Sequence, residues 1–355
     1  MKDDFLEQEI RRSGDSLLKN HTTPGLLISC SKYLCDSVSP WLILSVFSAF
    51  SVVSAAQSMS YTKGQNVAPA YEGWEQASDG TKYFLFGYMN RNWEEEIDVP
   101  VGPENGFNIG GADQGQPTHF LPRRNRFIFR VKVPAGFRDK DELVWTLTTH
   151  GKTEKAYATL RPDYVVDDVV KASETGALGA GTSSPEVRGN KPPTVHIEEV
   201  TKRSLKVGEP LTIVSEVKDD GIPKRRLPSA ASIARAQAAA AADPELASRL
   251  RNPSMSPPTR ITVGKNLGLH VSWFVYRGPI GGKATFDTPQ VKAWEDTRAG
   301  AYSPWAPQFA APPIPADGKL PVTVTFSEPG TYVLRCRADD GALLADEEVT
   351  ITVIR

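Results

Sequence analysis

Apolar and polar residues alternate in short runs along most of this chain, a pattern that predicts strands and not helices. Between about residues 61 and 168 the runs are separated by clusters of Gly, Pro, Asn and Asp, with no sustained helical period. The clearest predicted strands are KYFLFGY (82–88), RFIFRVKV (126–133), ELVWTLTT (142–149) and KAYATL (155–160). Since no helix is predicted that could cover a parallel sheet, this region favours an antiparallel β-sandwich.

One predicted strand has two distinct faces. In RFIFRVKV, one face carries Phe127, Phe129, Val131 and Val133, and the other carries Arg126, Ile128, Arg130 and Lys132. Successive side chains of a strand point to opposite faces, so we expect a sheet with one buried side and one solvated side.

A second strand-rich region follows a stretch rich in Gly, Ala, Ser and Pro (171–193), which is typical of a flexible linker. Its six predicted strands lie in PPTVHIEEV, VGEPLTIVSEVKDDG, LGLHVSWFVY, KLPVTVTF, GTYVLRCRADDG and EEVTITVI. Between the second and third of these strands, an alanine-rich segment (229–250) predicts two short helices on one end of the sandwich.

The segment EPGTY, which ends at Tyr332, resembles the tyrosine corner of immunoglobulin-like sandwiches, in which the phenol bonds back to the preceding connection. Trp273 would be the central core tryptophan, and Leu334 stands where an immunoglobulin cysteine would stand, so that disulfide is absent. Together with FSEPGTYVLRCRADDG, these features are similar to PKD-like and cadherin-like extracellular modules. The resemblance covers residues 192–355 and implies a binding or spacer module.

The first region resembles a family of uncharacterised secreted bacterial proteins. The resemblance lies in DGTKYFLFGYMNRNWEEEIDVPVGPEN, GGADQGQPTHFLPRR and ELVWTLTTHGK, and it covers residues 71–162. It implies an exported module and carries over no activity.

The N-terminal part of the chain predicts export. Residues 41–56 (WLILSVFSAFSVVSAA) carry no charge and end in small residues, and sixteen residues with four serines are too short for an ordinary membrane span. We expect a signal peptide cleaved before Gln57, with an uncleaved anchor as the alternative because the preceding segment is long. The predicted location is secreted or periplasmic in a bacterial cell envelope, with membrane contact only through this segment if it is uncleaved.

These observations predict an all-β chain of two immunoglobulin-like antiparallel β-sandwiches, with a short Ala-rich helical insertion in the second and an N-terminal signal segment. The predicted divisions are a leader (1–56), a first sandwich (57–170), a flexible linker (171–191), and a second sandwich (192–355) with insertions at 222–258 and 278–317.

Composition limits the classes of partner that the chain is expected to bind. The 355 residues are 40% hydrophobic, enough for packed cores, and a net charge of -1 leaves no basic excess for a phosphate backbone, so no nucleic-acid partner is expected. Cys30 and Cys35 lie in the leader, and the remaining Cys336 cannot form an internal disulfide alone.

Two long polar loops of the first region supply candidate ligand-binding residues, because binding residues are often carried on loops of a rigid scaffold. The candidates combine an aromatic plate with charged hydrogen-bonding groups, which suits a protein or glycan partner. They are Arg91, Trp93, Glu95, His119 and Arg123. The alternatives are that Trp93 caps the core while its neighbours form turns, and that Glu95 and His119 act as a catalytic pair.

Four aspartates form a candidate calcium site. The sequence Asp219-Asp220-Gly221 follows the second strand of the second region, and Asp339-Asp340-Gly341 ends its fifth predicted strand. In an immunoglobulin-like topology both loops emerge at one end, where carboxylates could converge on Ca²⁺. The alternative is ordinary turn chemistry, with Arg225 or Arg337 neutralising the acids.

The chain has no GxSxG, HExxH, GxxxxGK[ST] or strand-linked GxGxxG motif, and its five histidines are dispersed. We therefore expect a non-enzymatic exported protein that binds a protein or glycan, or that spaces a partner at the envelope, with no cofactor apart from the candidate calcium. The alternatives are a hydrolase or hydrolase accessory subunit that uses the first-region loops, and a membrane-anchored periplasmic module.

Overall fold

The computed structural model describes residues 63–174, 185–201, 203–224, 263–264, 268–290, 292–294 and 313–355, and the single positions 231, 234, 238 and 241. The predicted leader lies outside these residues. The described residues form one compact unit.

The first region is built from eight antiparallel strands. They are β1 (Val67–Gln76), β2 (Lys82–Asn90), β3 (Ile97–Asp98), β4 (Asn105–Phe107), β5 (His119–Phe120), β6 (Arg123–Lys132), β7 (Leu143–Thr149) and β8 (Lys152–Ala158). The sheet β1-β2-β6 packs with the sheet β4-β7-β8, and β3 pairs with β5. The four strands predicted from the sequence are confirmed as β2, β6, β7 and β8.

The core between these sheets is aromatic. Trp145 is fully buried, with ring centroids 5.0 Å from Phe129 and 5.9 Å from Phe86. Its indole Nε1 donates to the side-chain oxygen of Asn105 at 2.9 Å, so the polar edge of the ring is satisfied inside the core.

The predicted alternation along β6 is wrong at its N-terminal half. Phe129 and Val131 are buried as expected, but Ile128 is buried as well and Phe127 is only half-buried with a φ of 49°. The pairing of β2 with β6 shifts register at this point, so a bulge turns the chain and changes which side chains face the core.

The second region contains ten strands. They are β9 (Thr194–Ile197), β10 (Ser204–Lys206), β11 (Leu211–Lys218), β12 (Val263–Gly264), β13 (His270–Arg277), β14 (Ala284–Asp287), β15 (Ala293–Trp294), β16 (Lys319–Phe326), β17 (Gly330–Asp339) and β18 (Leu344–Ile354). The sheets β10-β18-β17-β13 and β14-β16-β11-β9 face each other, and the short strands β12 and β15 pair separately. All pairs are antiparallel except β10 with β18 and β12 with β15.

The tyrosine corner forms as predicted. The hydroxyl of Tyr332 donates to the carbonyl oxygen of Glu328 at 2.9 Å, and Trp273 and Leu334 are buried in the core between the two sheets. Cys336 is a buried free thiol. The prediction of an all-β chain with two immunoglobulin-like antiparallel sandwiches is confirmed.

Short helical elements lie at the predicted linker. A 3-10 turn (Pro162–Tyr164) leads to α1 (Asp168–Glu174), and α2 (Pro185–Arg188) precedes the second region. Lys171 of α1 contacts Glu75 of the first region at 2.6 Å, while Ala172 packs against Ala342 and Leu343 of the second. The described part of the linker therefore contains two short helices, of which α1 is anchored to both regions. The domain boundaries themselves stay a prediction.

The alanine-rich insertion is described at four positions, Ala231, Ala234, Ala238 and Ala241, all of them helical and exposed. Within the part of the chain that the structure describes, no helix is long and apolar enough to cross a membrane.

Candidate functional site

Three of the five predicted binding residues lie together at one end of the first sandwich. The guanidinium of Arg123 lies over the Trp93 ring, 3.9 Å from its centroid, and donates to the carbonyl oxygen of Arg91 at 3.3 Å. Arg91 donates to the side-chain oxygen of Asn66 at 3.1 Å and keeps 47% of its own side chain exposed. Within this cluster Arg123 is therefore buried and held by its contacts, whereas Arg91 is an exposed cation.

Buried asparagines fix the two chain segments that carry this cluster. The Asn92 side chain accepts from the backbone N–H of Gln65 and donates to its carbonyl oxygen, both at 2.7 Å. The Asn125 amide donates to the carbonyl oxygens of Leu121, Pro122 and Arg123. Side chains of this type satisfy backbone groups in turns, which explains why polar loops can hold a fixed shape here.

Glu95 has a different set of contacts. Its carboxylate accepts from the backbone N–H of Gly64 at 2.6 Å and lies 3.3 Å from Nε2 of His150. Glu95 therefore ties the chain entering β1 to the hairpin that joins β7 and β8.

His119 is buried between two carboxylates. Its Nδ1 lies 2.7 Å from Asp98 and its Nε2 lies 3.2 Å from Glu96. Burial lowers the pKa of His119, but the hydrogen bonds to Asp98 and Glu96 outweigh burial and raise the pKa to about 9. At neutral pH the ring is thus an imidazolium that donates from both nitrogens, with no lone pair for a general base.

The structure does not bring Glu95 and His119 together as a catalytic pair. Glu95 is engaged with Gly64 and His150, and both ring nitrogens of His119 are engaged with Asp98 and Glu96. The second oxygen of Asp98 accepts from the backbone N–H of Gly281, at 2.9 Å, which belongs to the other sandwich. His119 therefore lies in a polar contact between the two sandwiches.

This contact is part of a larger junction, whose centre is β13. Trp273 and Val275 of this strand face the core of the second sandwich, whereas Phe274 and Tyr276 pack into the core cluster of the first. The strand is consequently buried on both faces from Ser272 to Tyr276. We call the contact between β13, the outer face of β17 and the first sandwich the junction.

Backbone and charged groups align the junction. The backbone N–H of Thr118 donates to the carbonyl oxygen of Tyr276 at 3.2 Å, and the Tyr276 hydroxyl donates to the carbonyl oxygen of Gly115. Arg277 donates through Nε to the carbonyl oxygen of Gln116 at 2.9 Å and through both terminal nitrogens to Asp113 at 3.0 and 2.8 Å. A bidentate pair fixes direction as well as distance.

Two buried arginines complete the junction. Arg337 pairs with Asp346 through two hydrogen bonds of 2.7 Å, and Arg335 pairs with Glu348 while donating to the carbonyl oxygen of Ile128 in β6. The Arg335 guanidinium also lies 3.4 Å from the centroid of the Tyr276 ring. Both arginines are less than a tenth exposed, so their charges are held by these partners and not by water.

Sequence reasoning missed the junction residues, although signals were present. WFVY in β13 is a continuous apolar run, which is typical of a strand buried on both faces. Arg335 and Arg337 stand directly opposite Glu348 and Asp346 in the pairing of β17 with β18. Opposite charges at facing positions of a hairpin mark a side-chain network.

The four predicted calcium ligands act as turn acceptors. Asp219 and Asp220 accept from the backbone N–H groups of Gly221 and Ile222, and Asp339 accepts from that of Gly341. Asp340 accepts from Ala342 and Leu343. Among the residues with described placement, no group of three or more His, Cys, Asp or Glu side chains is arranged to hold a metal ion.

The two aspartate loops do lie at the same end of the sandwich, with residues 190 and 191 between them. Asn190 donates to Asp340 at 3.0 Å, and the backbone N–H of Lys191 donates to Asp220 at 3.1 Å. Arg337, the predicted neutralising cation, bonds Asp346, and Arg225 lies outside the described residues.

Comparison with known proteins adds solved structures of low similarity. No protein-family model and no curated protein matches the chain. A conjugative transposon lipoprotein from Bacteroides eggerthii covers 45% of this chain and 96% of its own, with 11% identity and a TM-score of 0.23. A chimeric titin Z1Z2 covers 82% of this chain and 100% of its own, with 10% identity and a TM-score of 0.20. The D00-D0 domain of intimin covers 81% and 100%, with 10% identity and a TM-score of 0.20. Scores of this size transfer neither a family nor a role to the chain.

Proposed function

We propose that this chain is an exported, non-enzymatic protein that binds a protein or glycan or spaces a partner in the bacterial envelope. The observation that carries the proposal is the junction. It buries one face of β13 and the outer face of β17 against the first sandwich and aligns them with the Arg277–Asp113 pair. Two sandwiches held in one orientation can present loop surfaces at a fixed separation, which is what a binding or spacer protein needs.

The proposed contact surface is the end of the first sandwich that carries Arg91 and Trp93. The Arg91 side chain is 47% exposed, and its carbonyl oxygen accepts from Arg123, whose guanidinium stacks on the Trp93 ring. An exposed guanidinium suits acidic groups, and an aromatic ring suits the apolar face of a sugar. Export is supported by the apolar segment 41–56, which predicts a signal peptide.

A glycan array and capture from an envelope extract, both with the full chain, test this role. Arg91→Ala should abolish binding, since it removes the exposed cation from the surface. The matched control is Arg138→Ala, because Arg138 is 81% exposed in a different loop. Equal binding by both variants, or no binding by the parent chain in either assay, would contradict the proposal.

The hydrolase alternative has its own experiment. Hydrolysis of an ester and glycan panel by the full chain, lost in Glu95→Gln with an unchanged melting temperature, would replace the binding role by an enzymatic one. Glu95 contacts His150 and the Gly64 backbone, so the melting temperature separates loss of chemistry from loss of folding.

Calcium binding by Asp219, Asp220, Asp339 and Asp340 is a separate proposal. Two buried oxygens at this end, Oδ1 of Asn190 and Oδ1 of Asp219, have no hydrogen-bond partner within the described structure. Calorimetry and thermal unfolding of the full chain with Ca²⁺ test it. Heat of binding and a higher melting temperature, both lost in Asp219→Asn, support the site, whereas no heat and no shift reject it.

A further inference from the structure

A cavity of about 770 Å³ lies between the two sandwiches. Its walls come from β6 of the first sandwich, from the N-terminal half of β18 in the second, and from α1. Pockets that bind small molecules usually have volumes of this size and often lie where two domains meet. The cavity is therefore a candidate binding site separate from the loop surface at Arg91.

Part of the cavity wall is apolar. Leu85 lies between Phe84 and Phe86 in β2, and both phenylalanines belong to the core of the first sandwich. Since successive side chains of a strand point to opposite faces, Leu85 points away from that core, and it lies on the cavity lining. Leu343 lies on the lining from the second sandwich and is buried. The cavity thus offers apolar surface from both sandwiches.

Phe127 adds an aromatic residue to the lining. Its φ of 49° lies in the left-handed region, which is unfavourable for a bulky side chain. The residue is half-buried and belongs to neither of the two sandwich cores of the described chain. Strained backbone of this kind often occurs at functional sites, where the surrounding structure holds it in place. The bulge in β6 therefore places an aromatic residue on the cavity lining and not in a core.

Glu348 supplies a carboxylate from the second sandwich. Its neighbour Val349 belongs to the second core, so Glu348 points to the outer face of its sheet, where it lies on the cavity lining. Arg335 donates to Glu348 through Nε at 2.9 Å and through Nη2, and both bonds go to Oε1. Because 40% of the Glu348 side chain is exposed, its Oε2 can accept from a ligand.

The aromatic residue and the carboxylate lie on adjoining parts of the lining. The guanidinium of Arg335 that bonds Glu348 also donates to the carbonyl oxygen of Ile128, the residue after Phe127. A single planar group therefore connects Glu348 to the backbone beside Phe127. An aromatic ring next to a carboxylate suits an ammonium group, which is attracted to the face of the ring and donates to the carboxylate oxygen.

The charges on the lining also favour a cation. Asp346 is compensated from outside the lining, by Arg337 through two bonds of 2.7 Å and by nearby Lys292. The other charged residues of the lining are four carboxylates, Glu75, Asp168, Glu347 and Glu348, and three cations, Arg130, Lys171 and Arg335. Each of these cations is paired with one of these carboxylates, so the charge that remains for a ligand is negative.

We propose that this cavity binds a small organic cation, whose ammonium group contacts the Phe127 ring and the Glu348 carboxylate and whose hydrocarbon part packs on the apolar wall at Leu85. The proposal does not rest on the binding surface at Arg91, which lies at one end of the first sandwich. Failure of either one leaves the other standing.

Hexylammonium is a suitable probe, because it joins an ammonium group to an apolar chain. Hexan-1-ol is its neutral counterpart, and hexanoate is its anionic counterpart. Calorimetric titration of the full chain, up to about 10 mM of each probe, should show hexylammonium binding about fivefold or more tightly than hexan-1-ol. No binding of hexylammonium, or equal binding of hexanoate, would overturn the proposal.

Labelling with ¹⁵N-phenylalanine locates the bound probe. The chain contains 14 phenylalanines, and each gives one backbone N–H signal in a ¹H–¹⁵N spectrum. The signal missing from Phe127→Gly identifies Phe127, and hexylammonium should move this signal in the parent chain. A Phe127 signal that does not move during a titration that releases heat would place the probe elsewhere and reject this cavity.

Phe127→Gly removes the ring without straining the backbone, because glycine adopts a φ of 49° freely. Hexylammonium binding should weaken by about fivefold or more, while the melting temperature changes little. His150→Gly is the matched control, since His150 also has a φ of 49° and lies outside the cavity lining, and it should bind as the parent chain does. Unchanged binding by Phe127→Gly would show that the ring makes no contact with the cation.

Glu348→Gln tests the carboxylate and keeps an oxygen that can accept from Arg335. It should weaken the binding of hexylammonium and leave hexan-1-ol unchanged, because only the cation interacts with the charge. Glu198→Gln is the matched control, since the Glu198 side chain is also 40% exposed and pairs with a cation, Lys319, away from the lining. Equal weakening of both probes, or equal effects of both variants, would show that the cavity does not recognise a cation through Glu348.

Discussion

At the scale of single residues, the proton on the His119 ring affects the contact between the two sandwiches. The folded protein raises the His119 pKa from about 6.5 to about 9 through Asp98 and Glu96, and Asp98 in turn accepts from Gly281. Between these two values the folded state keeps a proton that the unfolded state has released. The free energy of unfolding should therefore be highest below about pH 6.5 and fall by on the order of 2–3 kcal/mol as the pH rises through 9.

Urea unfolding at several pH values between 6 and 9.5 measures this dependence. His119→Gln keeps a hydrogen-bond donor but cannot carry the charge, so its stability should change much less over this range. His196→Gln is the control, since the side chain of His196 is 71% exposed. The same fall in His119→Gln as in the parent chain would contradict the assignment.

The pKa of Asp340 is shifted in the opposite direction to that of an ordinary paired carboxylate, so its effect on stability has the opposite pH dependence. Burial raises its pKa to about 6 despite hydrogen bonds from Leu343, Asn190 and Ala342. The folded state thus binds a proton more tightly than the unfolded state, and the free energy of unfolding should fall as the pH rises from about 4 to about 6. Asp340→Asn should remove this fall, which equilibrium unfolding at pH 4, 5 and 6 would detect. A fall of equal size in the variant would assign it to other groups.

At the scale of elements, the limits of prediction from sequence follow from what each strand contacts. The run KYFLFGY has the apolar and aromatic composition of a strand and lies in β2, and VTITVI has the alternation of a strand and lies in β18. The tyrosine corner was also predictable, because Tyr332 bonds within its own connection at Glu328. Local patterns succeeded where the decisive contact is local.

Contacts between distant segments were not predictable in the same way. Phe127 departs from alternation because of a bulge in β6, which no single residue of RFIFRVKV indicates. His119 and Glu95 both lie in the polar loops of the first region but have separate partners. The partner of His119 is Asp98, and Asp98 meets Gly281 only after the two sandwiches pack. Five candidates were predicted as one set, Arg91, Trp93, Glu95, His119 and Arg123, and the structure brings three of them together, Arg91, Trp93 and Arg123.

The outer face of β17 supports a prediction about Arg335. Its guanidinium pairs with Glu348, donates to the carbonyl oxygen of Ile128 and covers the Tyr276 ring. Arg335→Met would keep much of the packing but leave Glu348 and the Ile128 carbonyl without this partner. Because the Glu348 side chain is 40% exposed, water can reach it in the variant, and we expect a loss of about 1–3 kcal/mol in the free energy of unfolding, less than for a fully buried pair.

Chemical unfolding of Arg335→Met and of a control variant measures this loss. Arg138→Met is the matched control, because Arg138 is 81% exposed and pairs with Asp141 on the surface. That variant should change the free energy of unfolding by less than about 1 kcal/mol. Equal effects of the two substitutions would show that the Arg335 network does not stabilise the junction.

At the scale of the whole molecule, the two sandwiches share one core cluster. Phe274 and Tyr276 of β13 pack with residues of the first sandwich such as Phe120 and Tyr88, and α1 contacts both regions. A strand that contributes to both cores cannot leave one without disturbing the other. The predicted linker would by itself suggest independent domains, whereas these contacts link the folding of one sandwich to that of the other.

We therefore expect residues of both sandwiches to unfold in one cooperative transition. With 5-fluorotryptophan incorporated, the ¹⁹F signals of Trp145 and Trp273 report on the first and second core, and both should disappear at the same urea concentration. In Arg335→Met the junction is weakened, so the two signals should separate and each transition should have a smaller m-value, because each exposes less surface. Separate transitions in the parent chain would show that the sandwiches are independent. Coincident transitions in the variant, at an unchanged m-value, would show that the apolar contacts of Phe274 and Tyr276 suffice to couple them without the buried arginine.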